Sequence, residues 1–146
     1  MGADGGEHRI LRGRKPITLK IDPITVGSEH LFLGTELLPP GDSIPTHRHR
    51  GEEEALFVHR GAITVRVGER TGTAPAGGTI FIPRNTWVAV RNAGVDTAEF
   101  VYVFNEPAFA VCLRGFSTRP GAPYTEPEAD SAARIRTACH QDVMTH

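Results

Sequence analysis

The residues best suited to chemistry lie in one stretch of this 146-residue chain, GDSIPTHRHRGEEEALFVHRG, from Gly41 to Gly61. His47 and His49 are two apart. In an extended strand such residues share a face, so both imidazoles can be aimed at one point. Glu54 follows a turn at Arg50-Gly51, where the chain can fold back and bring a carboxylate to the same place. Two imidazoles and one carboxylate make a 2-His-1-carboxylate set. Such a set suits a divalent metal (Fe, Mn, Ni or Zn) and leaves coordination positions for a chelating substrate or dioxygen. A bare His-x-His can also be two solvent-facing histidines. Of the consecutive glutamates, parity turns Glu54 inward and Glu53 to solvent, and leaves Glu52 in the turn.

Short apolar runs, separated by turn residues, must position these side chains. They are 17–21, 30–38, 44–49, 55–59, 62–67, 80–82, 87–90, 100–104 and 109–113. Strand-length runs at roughly 8–12-residue spacing indicate an all-β sandwich or barrel. The 16 glycines and 11 prolines, scattered without a period, supply the turns. Alternation is clear in Ile63-Thr64-Val65-Arg66-Val67, whereas Phe100 to Phe104 is apolar on both parities and should be covered on both faces. Leu56, Val58, Val88 and Val90 take the inward parity. With Tyr102 and Phe104 they would line an apolar substrate cavity. Phe57 and Trp87 take the outward parity. Thr125-Glu126-Pro127-Glu128 fits a capping box with Thr125 as N-cap, and a thin apolar stripe predicts one short helix around 126–140. The expected organisation is a mobile arm (1–16), a barrel (17–116) and a tail with a short C-terminal α-helix (117–146).

The spacing from Gly41 to Gly61 is five residues, His47, one residue, His49, four residues, Glu54, six residues, Gly61. It resembles the first signature motif of the cupin superfamily at every defined position. After 15 residues, GGTIFIPRNTWVAVRN resembles the second motif through Gly77, Pro83 and Asn92. The resemblance implies a cupin double-stranded β-helix, or jelly-roll, barrel. It also implies His47, His49 and Glu54 as metal ligands. Glu54 would further act as a catalytic base when displaced from the metal, as proposed for dioxygenase-like cupins. Two positions depart from the pattern. Asn85 replaces a glycine, and asparagine tolerates positive φ. Val88 replaces the histidine that would be the fourth ligand. Three arrangements follow: a three-ligand metal site, a fourth ligand from His30 or His59, or a metal-free cavity. The first implies an enzyme of dioxygenase, isomerase or lyase type acting on a small molecule. The last implies a non-catalytic ligand-binding or sensory protein.

Composition narrows the classes further. A formal net charge of -1 leaves no electrostatic footprint for nucleic acid. The basic run Arg9, Arg12, Arg14 and Lys15 reads as a solvated arm. No apolar stretch approaches the ~18 residues of a membrane helix, and the N-terminus lacks a signal-peptide core. Two cysteines outside any CxxC, Cys112 and Cys139, read as small buried or half-buried thiols in a cytoplasmic protein, with a disulfide between them as the alternative. Arg66 and Arg91 read as surface charges. Aromatic residues on outer strand faces favour a homodimer.

Overall fold

The computed structural model describes residues 1–145. Its strands are β1 (Glu7–Leu11), β2 (Lys15–Ile21), β3 (Phe32–Leu38), β4 (Ser43–His49), β5 (Glu54–Arg60), β6 (Ala62–Val67), β7 (Arg70–Pro75), β8 (Thr79–Ile82), β9 (Val88–Arg91), β10 (Ala98–Phe104), β11 (Ser117–Thr118) and β12 (Gln141–Val143). Helix α1 spans Phe109–Gly115 and α2 spans Ala129–Ala138. Two antiparallel sheets form, ordered β11-β1-β2-β3-β10-β5-β8 and β12-β4-β9-β6-β7. Inward side chains of both, from Leu19 and Leu56 to Val65 and Val90, share one core. The strand runs read from the sequence become β2 to β6 and β8 to β10, so the all-β jelly roll stands. No described helix is long and apolar enough to cross a membrane.

Strand β3 shows how the pattern works. Phe32, Gly34, Glu36 and Leu38 point inward and alternate with half-buried residues. Gly34 is required there. A Cβ at this position would lie 2.5 Å from Tyr102 Cε2 and 2.9 Å from the Thr18 carbonyl oxygen. The missing side chain lets the Tyr102 ring lie across β3.

Several expectations are corrected. The first 16 residues are not a mobile arm, because Glu7–Leu11 pairs with both β2 and β11. The basic run is tied down by partners, although Arg12 and Arg14 are exposed to solvent as expected. Arg9 donates to Glu7 and Ser117, Arg12 pairs with Glu126, Arg14 with Asp42, and buried Lys15 donates to the Ser43 carbonyl. Most of these partners are remote in sequence, so the run alone could not reveal them. Phe109–Leu113 is helix rather than strand. Its buried residues Ala110, Cys112 and Leu113, continued by Phe116, follow helical spacing, and Val111 is exposed. Thr125 does not cap α2. Glu128 occupies the N-cap without a side-chain bond, and the helix begins only after Pro127. Residues preceding a proline are held extended, and Glu126 is engaged by Arg12 and Tyr124. Polar β7 carried no apolar signal. Cys112 and Cys139 are joined in a disulfide rather than lying as separate thiols. Helix α1 turns Cys112 toward the end of α2, where Cys139 is fully buried.

Candidate metal centre

The centre sits where the two sheets meet. His47 and His49 lie on β4 of one sheet, and Glu54 opens β5 of the other. Locally, β4 carries one extra residue against β9: Ile44 pairs with Val90, then His47 with Val88. Pro45 lies in this irregularity, where its missing N–H costs no ladder bond. Its carbonyl accepts a 2.8 Å hydrogen bond from His47 Nδ1. The carbonyl cannot donate, so Nδ1 carries the proton and Nε2 keeps its lone pair. The Asn85 N–H donates to the His49 carbonyl at 2.7 Å, and Asn85 adopts a φ of 58°. The asparagine substitution in the second motif therefore preserves the turn that braces β4.

One ligand atom from each of His47, His49 and Glu54 lies within 4.8 Å of the others. His49 Nε2 and Glu54 Oε2 are 3.7 Å apart. Two ligands on one ion with ~2.1 Å bonds stand at about that separation. All three residues are buried. Both His49 ring nitrogens and Glu54 Oε2 lack a hydrogen-bond partner. Burial lowers the pKa of His47. Burial and the neighbouring His47 hold His49 well below the ordinary histidine range, so both rings are neutral, the form in which imidazole can bind a metal. Burial, with Glu36 adding to it, pushes the Glu54 carboxyl up to about 8. Neutral imidazoles beside a carboxyl with no counter-charge are what a cation would satisfy, so the residues fit a divalent metal.

The family described as "Cupin domain" matches residues 34–104, which contain all three residues. The chain belongs to the cupin superfamily. Among curated proteins, this cupin is 30% identical over 98 residues to "Polyketide synthase CurC" of Streptomyces cyaneus, covering 67% of this chain and 58% of that one. It is 28% identical over 82 residues to "Tetracenomycin polyketide synthase protein TcmJ" of Streptomyces glaucescens, covering 56% and 55%. The chain thus spans less than two thirds of the length of either relative. Among solved structures, a RmlC-like cupin from Shewanella frigidimarina matches with a TM-score of 0.63 at 17% identity, covering 74% of this chain and 89% of that one. A predicted oxalate decarboxylase from Thermotoga maritima matches at 0.62 and 21%, covering 73% and 96%. At such identities the likeness concerns the fold.

A cavity of about 120 Å³ opens beside the cupin's histidines. Leu56, Val88, Val90 and Tyr102 line it, together with His47 and Glu54. Val58 and Phe104 do not. Both are fully buried core residues, and Phe104 instead packs its ring 4.9 Å from that of His49. Val88 is buried in register with His47, so the usual fourth ligand is replaced by an apolar wall. Neither histidine named as a substitute reaches the site, since His30 is 80% exposed and His59 faces outward on β5. Trp87 lies beyond the cavity with the Arg48 guanidinium 4.7 Å over its ring. Arg91 is exposed, and Arg66 donates to Thr46.

Several site residues escaped sequence reasoning. Phe109, on helix α1, packs 4.5 Å from the His49 ring and lines the cavity. Gln141 and Val143 line it from β12, which pairs with β4 across His47 and His49. Glu52 is in the turn as expected but is buried, and its Oε1 is bonded by His140 Nδ1 at 3.1 Å. Glu36 is buried in the cavity wall. Its signal was present, because a charged residue stood at the inward parity of an apolar run.

Proposed function

We propose that this cupin is a metal-dependent enzyme that acts on a small organic molecule at one divalent ion held by His47, His49 and Glu54. The observation that carries the reading is three convergent, buried ligand groups with unmet polar atoms. When bound, such an ion supplies Lewis acidity toward a substrate carbonyl, enol or hydroxyl oxygen, or activates dioxygen if it is iron. His47 is held in one tautomer by Pro45. Phe104 and Phe109 flank His49 and keep water from that side. Glu54 provides the carboxylate and, from the oxygen not engaged by the ion, a proton acceptor. Val88 leaves space for substrate where a fourth ligand would stand. The relatives' names, together with the apolar, aromatic cavity, support a polyketide-derived substrate.

Elemental analysis of purified, reconstituted protein tests the reading. We expect about one equivalent of a first-row divalent metal, and less than a tenth of that in a folded His47→Ala/His49→Ala variant. Equal metal content in the two proteins overturns the assignment of the ion to these residues, and none in either sinks the enzyme proposal and favours a metal-free ligand-binding cupin.

A further inference from the structure

The cavity has a second polar end. Register across β3, β10 and β5 defines three inward rows. The first holds Phe32, Phe104 and Glu54, the next Gly34, Tyr102 and Leu56, and the third Glu36, Phe100 and Val58. Successive rows are about 6.7 Å apart along a strand. Glu36 therefore stands two rows from Glu54, with the Tyr102 level between them. Both carboxyls line the same cavity, whose wall is otherwise mainly apolar.

Among the described residues, no donor reaches the buried Oε1 of Glu36. The residue is 4% exposed. The nearby donors are engaged elsewhere. Lys15 Nζ donates to the Ser43 carbonyl at 2.7 Å and lies 3.8 Å from Asp42. The Tyr102 hydroxyl donates to the Thr35 carbonyl at 3.4 Å. A buried acceptor without a donor costs stability, and a ligand donor in the cavity would recover that cost. The volume is close to that of cavities which hold a single benzene ring.

We propose that Glu36 is a ligand anchor, accepting a hydrogen bond from a hydroxyl group at the far end of a ring-sized apolar ligand whose other end faces His47, His49 and Glu54. The substrate class is then an oxygenated ring compound, polar at two opposite ends and apolar between. This deepens the proposed function and rests on the cavity being its substrate site, although the anchor itself needs no metal.

The test uses metal-stripped protein and a matched pair of probes, 4-fluorophenol and 4-fluorotoluene, with affinities read by fluorine NMR titration. Changing Glu36→Leu removes the acceptor and leaves an apolar wall. The ratio of phenol to toluene affinity is expected to fall about tenfold or more, in line with losing a hydrogen bond to a carboxyl group. Glu36→Met serves as a second apolar replacement should the leucine variant not fold. A ratio that stays within threefold of the wild-type value, or wild-type protein that binds neither probe, overturns the proposal. Because no ion is present, a failed metal analysis leaves this result readable, and a failed anchor leaves the metal analysis standing.

Discussion

Burial governs the chemistry of the individual carboxyls. Burial pushes Glu36 up to about 7, with Asp42 adding to the rise and Lys15 opposing it. Its ordinary value is 4.5. Between those values the folded chain holds a proton that the unfolded chain has released. Stability tied to this group is therefore complete below about pH 4.5 and is lost as pH rises through about 7. The loss is on the order of 3 kcal/mol at most. Urea denaturation of wild type and Glu36→Gln at pH 5 and pH 8 should show the variant gaining about 2–3 kcal/mol on wild type at the higher pH. An unchanged difference between the two pH values would show that Glu36 does not titrate in this range. The two histidines were legible in the sequence because strand parity acts on neighbours, and Glu54 was legible through the resemblance of its motif to that of cupins. The inward parity of Glu36 was legible in the same way as that of the histidines, but its lack of a partner was not, because the donors that fail to reach it come from other strands.

At the level of elements, the edges of the barrel hold the site. Strand β12 covers the edge of β4, and the Glu52–His140 bond ties the start of β12 to the turn between His49 and Glu54. His140→Ala leaves Glu52 buried without that donor and should cost about 1–3 kcal/mol in chemical denaturation. Gly34→Ala drives a methyl group into Tyr102 and the backbone of β2, and should cost about 1–3 kcal/mol or more while distorting the cavity wall. A melting temperature equal to wild type would contradict the close approach of Tyr102. On the opposite side, Arg114 bridges Glu7 and fully buried Asp22 at 2.6 and 2.7 Å, joining β1, the turn after β2 and α1. This network, with β1–β2 pairing, is why the first residues are ordered. Arg114 is about 90 to 110 positions from each of its two partners, beyond any local pattern.

At the scale of the whole molecule, the disulfide between Cys112 and Cys139 closes a separation of 27 residues. Loop-closure entropy assigns this about 3.5 kcal/mol. Thermal melts with and without reductant should differ accordingly, and a Cys112→Ser/Cys139→Ser variant should match the reduced protein and lose sensitivity to reductant. On the outer face of the first sheet, Phe81 is 60% and Phe57 43% exposed on the adjacent strands β8 and β5, and β8 is the sheet edge. We propose that the expected homodimer uses this face, since an exposed aromatic edge favours pairing with another chain. Light scattering should report a dimer for wild type and a monomer for Phe81→Glu. Equal masses for the two would exclude this face as the dimer contact.

The chain's resemblance to cupins implied the jelly roll and the set of His47, His49 and Glu54, while the sequence by itself determined the strand-rich architecture, the face shared by His47 and His49, the inward Val88 and the tolerance of Asn85 for a left-handed turn. These last features depend on strand period and turn chemistry, which act over a few residues. Only the tertiary structure decided that residues 7–11 are a paired strand, that Phe109–Gly115 is a helix against His49, and that Cys112 meets Cys139. It also decided that Glu36 faces the cavity without a partner. These outcomes depend on which distant groups reach one another, and local pattern holds no record of that.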